Sequence, residues 1–112
     1  VQGRQDGAAA DLLRQARAVE ACGCFGVVLE CVPAELAREI TEAIAIPTIG
    51  IGAGPHTDGQ VLVFHDLLGL NPGFGAKFLR TFADGAGCVA GGLEAFHRAV
   101  QSGEFPSKKE SY

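Results

Sequence analysis

Phe25-Gly-Val-Val-Leu29 is a short apolar run that does not alternate with polar residues, and it limits the fold more than any other feature. A strand with one face in water alternates. A continuous run suits a strand buried on both faces, as in a parallel sheet. Helix-like segments flank it. From Asp6 to Ala21, Ala8, Leu12, Ala16 and Val19 recur at intervals of three and four, and Gly23 is a natural stop because it enters the left-handed cap without strain. After the run, Pro33 stands where a first helical residue needs no N–H. Leu36, Ile40, Ala43 and Ile44 then line one face, with Glu35, Arg38, Glu39 and Glu42 on the other.

A second strand, from Pro47, runs into the glycine-rich loop ending at Gly54. A third is expected from Gln60 to Phe64. Strands alternating with helices predict βαβ units, an α/β class and a parallel sheet. Beyond His65, residues 67–74 read as loop and Ala76 to Phe82 as a turn or two of helix. Residues 83–102 read as a helix weakened by Gly85, Gly87, Gly91 and Gly92, with its well-formed part starting near Leu93. Neither a repeat nor an internal boundary is evident. Three strands are too few to close a barrel, which takes eight strands and about 250 residues.

With 112 residues, 47% of them hydrophobic, the chain can build one core. A net charge of -4 leaves no basic footprint for nucleic acid or an anionic membrane. No apolar run approaches the roughly 20 residues of a membrane span, and residues 1–15 lack a signal-peptide centre. The four cysteines include Cys22-x-Cys24, which is not the usual zinc-clasping spacing, so a reduced intracellular protein is expected. Cys31 reads as a small buried hydrophobe with nothing cationic beside it to activate its thiol.

Glu30 is the main candidate for chemistry. A carboxylate directly after a buried strand lies where α/β folds place reactive groups, and apolar neighbours favour a general base. The competing reading is a strand-end acid that caps the next helix or faces water. Ile49-Gly-Ile-Gly-Ala-Gly54 fits neither the dinucleotide pattern nor a P-loop, so its glycines serve close packing or close ligand approach. His56, Asp58, His65 and Asp66 invite a metal site, but a structural reading is preferred. Asp58-Gly59 is a turn, Asp66 is placed to cap the next element, and neighbours on a strand point to opposite faces. His97 reads as a surface residue.

Three stretches are more specific. Val28-Leu-Glu-Cys-Val-Pro-Ala-Glu-Leu-Ala37, Ile46-Pro-Thr-Ile-Gly-Ile-Gly-Ala-Gly54 and Asp58-Gly-Gln-Val-Leu-Val-Phe-His-Asp66 closely resemble ketopantoate hydroxymethyltransferase, as do Val1-Gln-Gly-Arg4 and Ser102-Gly-Glu-Phe-Pro106. The resemblance covers essentially the whole chain. It implies the C-terminal part of a (β/α)8 TIM barrel in one partial domain, 1–112, with the N-terminal part absent. It also implies transfer of a one-carbon unit from methylenetetrahydrofolate to 3-methyl-2-oxobutanoate, giving ketopantoate, the first step of pantothenate biosynthesis. Mg2+ would chelate the oxoacid, through ligands in the part that this chain lacks. Glu30 would be the proton acceptor, and Ile51 and Val61 would be apolar walls of the substrate pocket. A homo-oligomer is implied, in the cytoplasm or, in a eukaryote, the mitochondrion.

Glu110 stands near the place where the family usually carries a His, a departure that bears on the tail. The chain alone is expected to be inactive. One competing reading is a non-catalytic α/β fragment that needs a partner half or self-association. A weaker one is a lyase of the phosphoenolpyruvate type.

Overall fold

A computed structural model describes residues 7–112, so the opening motif at residues 1–4 and the expected helix start at Asp6 lie outside the described residues. Two compact units are present. One comprises Val1–Leu62 with Ala76–Leu79, and the other Val63–Gly75 with Arg80–Tyr112.

The first unit is a three-stranded parallel sheet in the order β1 (Val27–Glu30), β2 (Thr48–Ile51), β3 (Gly59–Gln60). Two helices, α1 (Ala8–Ala21) and α2 (Ala34–Ala43), supply its core. Gly23 has φ +85 just beyond α1, as a helix stop requires. Pro33 is the cap of α2 rather than its first helical residue, because its ψ of 139 is still extended. Leu36, Ala37 and Ile40 of α2 pack with Leu29, Val32 and Ala53, while Leu12, Leu13 and Ala16 of α1 close the same cluster. On the solvent side of α2, Arg38 bonds Glu35 at 2.7 Å and lies 3.6 Å from Glu42.

The expectation of a strand buried on both faces is met on one face only. Along β1, Leu29 is buried, whereas Val28 is 60% exposed. Residues paired across parallel strands share a face. The covered face therefore carries Val27, Leu29, Thr48 and Gly50, and the open face carries Val28, Glu30, Ile49 and Ile51.

The third strand is shorter than expected. Val61 still donates its N–H to Gly50 O at 3.0 Å, and the ladder then ends. In the second unit, Phe64–Leu67 forms one helical turn, α3, closed by Leu67 N donating to Val63 O. A short apolar run suits a helical turn as well as a strand, and periodicity cannot separate the two. His65 and Asp66 are therefore neighbours on a helix. Asp66 sits inside that turn instead of capping a later element, 3.5 Å from the side-chain amide of Asn71.

The helix expected within residues 76–82 is only a turn, closed by Leu79 N to Ala76 O. Helix α4 spans Gly85–Ser102, eight residues earlier than the expected well-formed start. Asp84 caps it by accepting from Gly87 N at 3.0 Å, and this cap helps offset the helix cost of the glycines. In the tail, Ser107 and Glu110 form a capping box over the 3₁₀ turn Lys108–Glu110. The Glu110 carboxylate accepts from Ser107 N at 2.8 Å, and the Ser107 side chain first and this N–H second hold its pKa below the usual glutamate value. No helix among the described residues is long and apolar enough to cross a membrane.

Candidate functional site

Glu30 is the last residue of β1 and Ile51 the last of β2, and they are register partners. Val61 follows β3 one residue after Gln60, the partner of Gly50, so it continues the row of Ile51. The three residues singled out by the sequence thus form one transverse row on the open face, at the carboxyl ends of the strands. Glu30 is exposed and Ile51 half-buried, and Val61 is 45% exposed. The row is a carboxylate followed by two aliphatic side chains.

The backbone after Glu30 is unusual. Cys31 has φ +53, a left-handed conformation that costs a non-glycine residue about 1–2 kcal/mol. Its N–H donates to Ile51 O at 2.9 Å, so the ladder holds this residue while the chain turns toward Pro33. Cys31 is half-buried, not the fully buried hydrophobe expected, because the turn aims it at a cavity rather than the core.

That cavity, of about 740 Å³, lies at the same strand ends, among the loops after β1 and β2 and the segment 76–79. Gly52 and Gly54 let its walls approach closely. A Cβ on Gly52 would stand 2.9 Å from Phe78 Cγ, and one on Gly54 would overlap Ala34 Cβ. The polar rim comprises Thr57, Asp58, Gln60 and Lys77.

Asp58 anchors the loop. One of its oxygens accepts from Thr48 N at 2.8 Å and from Thr48 Oγ1 at 3.0 Å, and these bonds hold its carboxyl below the usual aspartate range. Thr48 is fully buried and its hydroxyl also pairs with that of Thr41 at 2.9 Å. The turn reading of Asp58-Gly59 omitted this clasp. Gln60 Nε2 donates to Gly54 O and to Thr57 Oγ1. Sequence reasoning missed Lys77 and Phe78, because both lie in a stretch read only as a short helix.

His56 and Asp58 do not gather a ligand set. Among the described residues, no three His, Cys, Asp or Glu side chains converge enough to hold a metal ion. His65 and His97 belong to the second unit.

Residues 1–108 match the family described as ketopantoate hydroxymethyltransferase. The chain belongs to that family. It is 58% identical over 112 residues to the 3-methyl-2-oxobutanoate hydroxymethyltransferase of Methylobacterium sp. (strain 4-46), covering all of this chain and 39% of the relative. The enzymes of the same name from Bdellovibrio bacteriovorus and Francisella tularensis subsp. tularensis are 53% and 46% identical over the whole chain, with 43% and 42% of their own lengths covered. The chain thus spans about two fifths of the length of these curated relatives. Family membership is homology to a hydroxymethyltransferase, and it agrees with the resemblance carried by the three motifs around Glu30, Ile51 and Asp58.

Proposed function

We propose that this chain is the C-terminal part of a 3-methyl-2-oxobutanoate hydroxymethyltransferase, with Glu30 as its general base. The supporting observation is the row Glu30, Ile51, Val61 at the carboxyl ends of parallel strands. In this reading the open face is turned to the interior of a (β/α)8 barrel, where residues at the strand ends carry the chemistry. Glu30 takes the C3 proton of 3-methyl-2-oxobutanoate. The electron pair of the broken C–H bond passes into the enolate, which forms the new C–C bond to the one-carbon unit of methylenetetrahydrofolate; the two C–N bonds that held this carbon break, water supplies the hydroxyl oxygen, and tetrahydrofolate leaves with its nitrogens protonated. Ile51 and Val61 flank the isopropyl group of the oxoacid, since aliphatic surface gains by leaving water against aliphatic neighbours.

The family's Mg2+ would polarise the keto group when bound. The described residues do not themselves assemble a site for it. Substrates, homo-oligomer and cytoplasmic location belong to the same reading.

The test is ketopantoate formation by the intact protein with Mg2+, wild type against Glu30→Gln. Glu30 is exposed and makes no side-chain hydrogen bond among the described residues, so the variant should fold normally. The expected rate loss is about 10²–10⁴-fold, the range for a general base. An unchanged rate would return Glu30 to a strand-end acid facing water.

A further inference from the structure

We propose that Cys22 and Cys24 form a reversible dithiol–disulfide couple, oxidised by a small disulfide of the glutathione type and reduced by the matching thiol. The couple does not rest on the function proposed above.

The pair owes its geometry to the end of α1. Gly23 donates its N–H to Glu20 O at 2.9 Å, and Cys24 donates its own to Val19 O at 3.4 Å. These two bonds make a Schellman cap, which needs a left-handed residue at the position of Gly23, whose φ is +85. The cap also fixes where the flanking cysteines stand. A residue in a helical turn of either hand holds its two neighbours' Cα atoms about 5.4 Å apart, from the helix rise and radius. Disulfides span Cα separations of about 4.4–6.8 Å. In a continued right-handed helix, residues two apart would point about 200° from each other, too far round to be joined. The left-handed step at Gly23 breaks that rotation.

Both thiols are free and exposed. One of them gives up its proton and attacks a sulfur of oxidised glutathione. The S–S bond of the reagent breaks, one glutathione leaves with that proton, and a mixed disulfide remains. The second cysteine attacks the protein sulfur of the mixed disulfide. The Cys22–Cys24 bond forms, and the second glutathione leaves with the second proton. Two protein thiols are oxidised by two electrons, and one glutathione disulfide is reduced to two thiols. An exposed disulfide closing so small a ring is labile, so excess thiol reverses the step.

Two thiols alone do not complete a tetrahedral zinc site, and among the described residues no third ligand converges on them. Cys88 is exposed on α4 and is the only cysteine of its unit, so it should stop at the mixed disulfide. The couple also stands apart from the proposed chemistry, because Cys24 precedes β1 and Glu30 ends it.

The experiment equilibrates the intact, reduced protein with oxidised and reduced glutathione at about 0.1 mM, below the mM-order effective concentration of a neighbouring thiol. After an acid quench, remaining thiols are alkylated with N-ethylmaleimide, and the tryptic segment 18–38, which holds Cys22, Cys24 and Cys31, is weighed. In the wild type this segment should lose two hydrogens, carry no glutathione and take one alkyl group. The ring should exceed the mixed disulfide about tenfold. Excess reduced glutathione should restore alkylation at all three cysteines. Cys22→Ser and Cys24→Ser should each abolish the ring and accumulate a glutathione adduct on the cysteine that remains. Both side chains are exposed, so either replacement leaves the fold intact. Three results overturn the proposal. One is a glutathione adduct on Cys22 or Cys24 that persists in the wild type as it does on Cys88. Another is a disulfide from either cysteine to Cys31 or Cys88. The third is a pair that reacts with neither reagent until the protein is denatured.

Discussion

Gly54→Ala is the sharpest test of how the strand-end loops are built. Gly54 has φ +77, and a methyl there would overlap Ala34 Cβ and stand 3.0 Å from Ala34 Cα. Carbon atoms sit comfortably at about 3.5–4.0 Å, so the loop or the first turn of α2 must move by roughly 1 Å. Two costs add. The left-handed backbone costs a residue with a Cβ about 1–2 kcal/mol. Overpacking against a fixed neighbour costs about 1–3 kcal/mol. The sum, about 2–5 kcal/mol, is a large part of the ~5–15 kcal/mol that holds a domain together.

The assay is chemical denaturation of the intact protein. Gly23→Ala is the control, since Gly23 has φ +85 but nothing within 4 Å of its added Cβ. It should show the backbone cost alone, about 1–2 kcal/mol. Adding Ala34→Gly to Gly54→Ala should recover part of the difference, because it removes the nearer of the two clashing atoms. If Gly54→Ala costs no more than Gly23→Ala, the close approach of Gly54 to Ala34 is wrong.

Other positions carry their own expected outcomes. Ile40→Ala should cost about 2–5 kcal/mol in a denaturant titration, because Ile40 is 1% exposed at the centre of the core cluster. Cys31→Gly should stay within about 1 kcal/mol of wild type, whereas Cys31→Val should lose about 1–3 kcal/mol, a β-branched residue being poorly suited to positive φ. Asp58 is held below its ordinary pKa by Thr48, so its contribution should be complete above the unfolded value, about 3.9, and vanish as pH falls through the lower folded value. The stability gap between wild type and Asp58→Asn should therefore be constant from pH 7 to 5 and close in acid; a gap that widens in acid would contradict the clasp. The 112-residue chain by itself should not turn over 3-methyl-2-oxobutanoate, and measurable ketopantoate from it would refute the need for further residues.

Local chemistry made much of this legible in the linear chain. The unalternating run before Glu30 marked a parallel strand, Gly23 marked the end of α1, and the acid at the strand end was placed by the run itself. Three long motifs carried the family, which the match over residues 1–108 bears out. Tertiary structure decided the rest. The helices cover one face of the sheet, so Val28 is open while Leu29 is buried, and no run of apolar letters carries that difference. Parallel register put Glu30, Ile51 and Val61 into one row, although 31 positions separate the first from the last. Phe78 reached Gly52 by a chain excursion that leaves no periodic trace. The chain left the sheet after Val61 because an apolar tetrad satisfies its backbone equally well in a ladder or a helical turn, and only the neighbours choose. Gly85 opened α4 because Asp84 could cap it, a three-residue interaction that outweighed the average preference of the glycines around it.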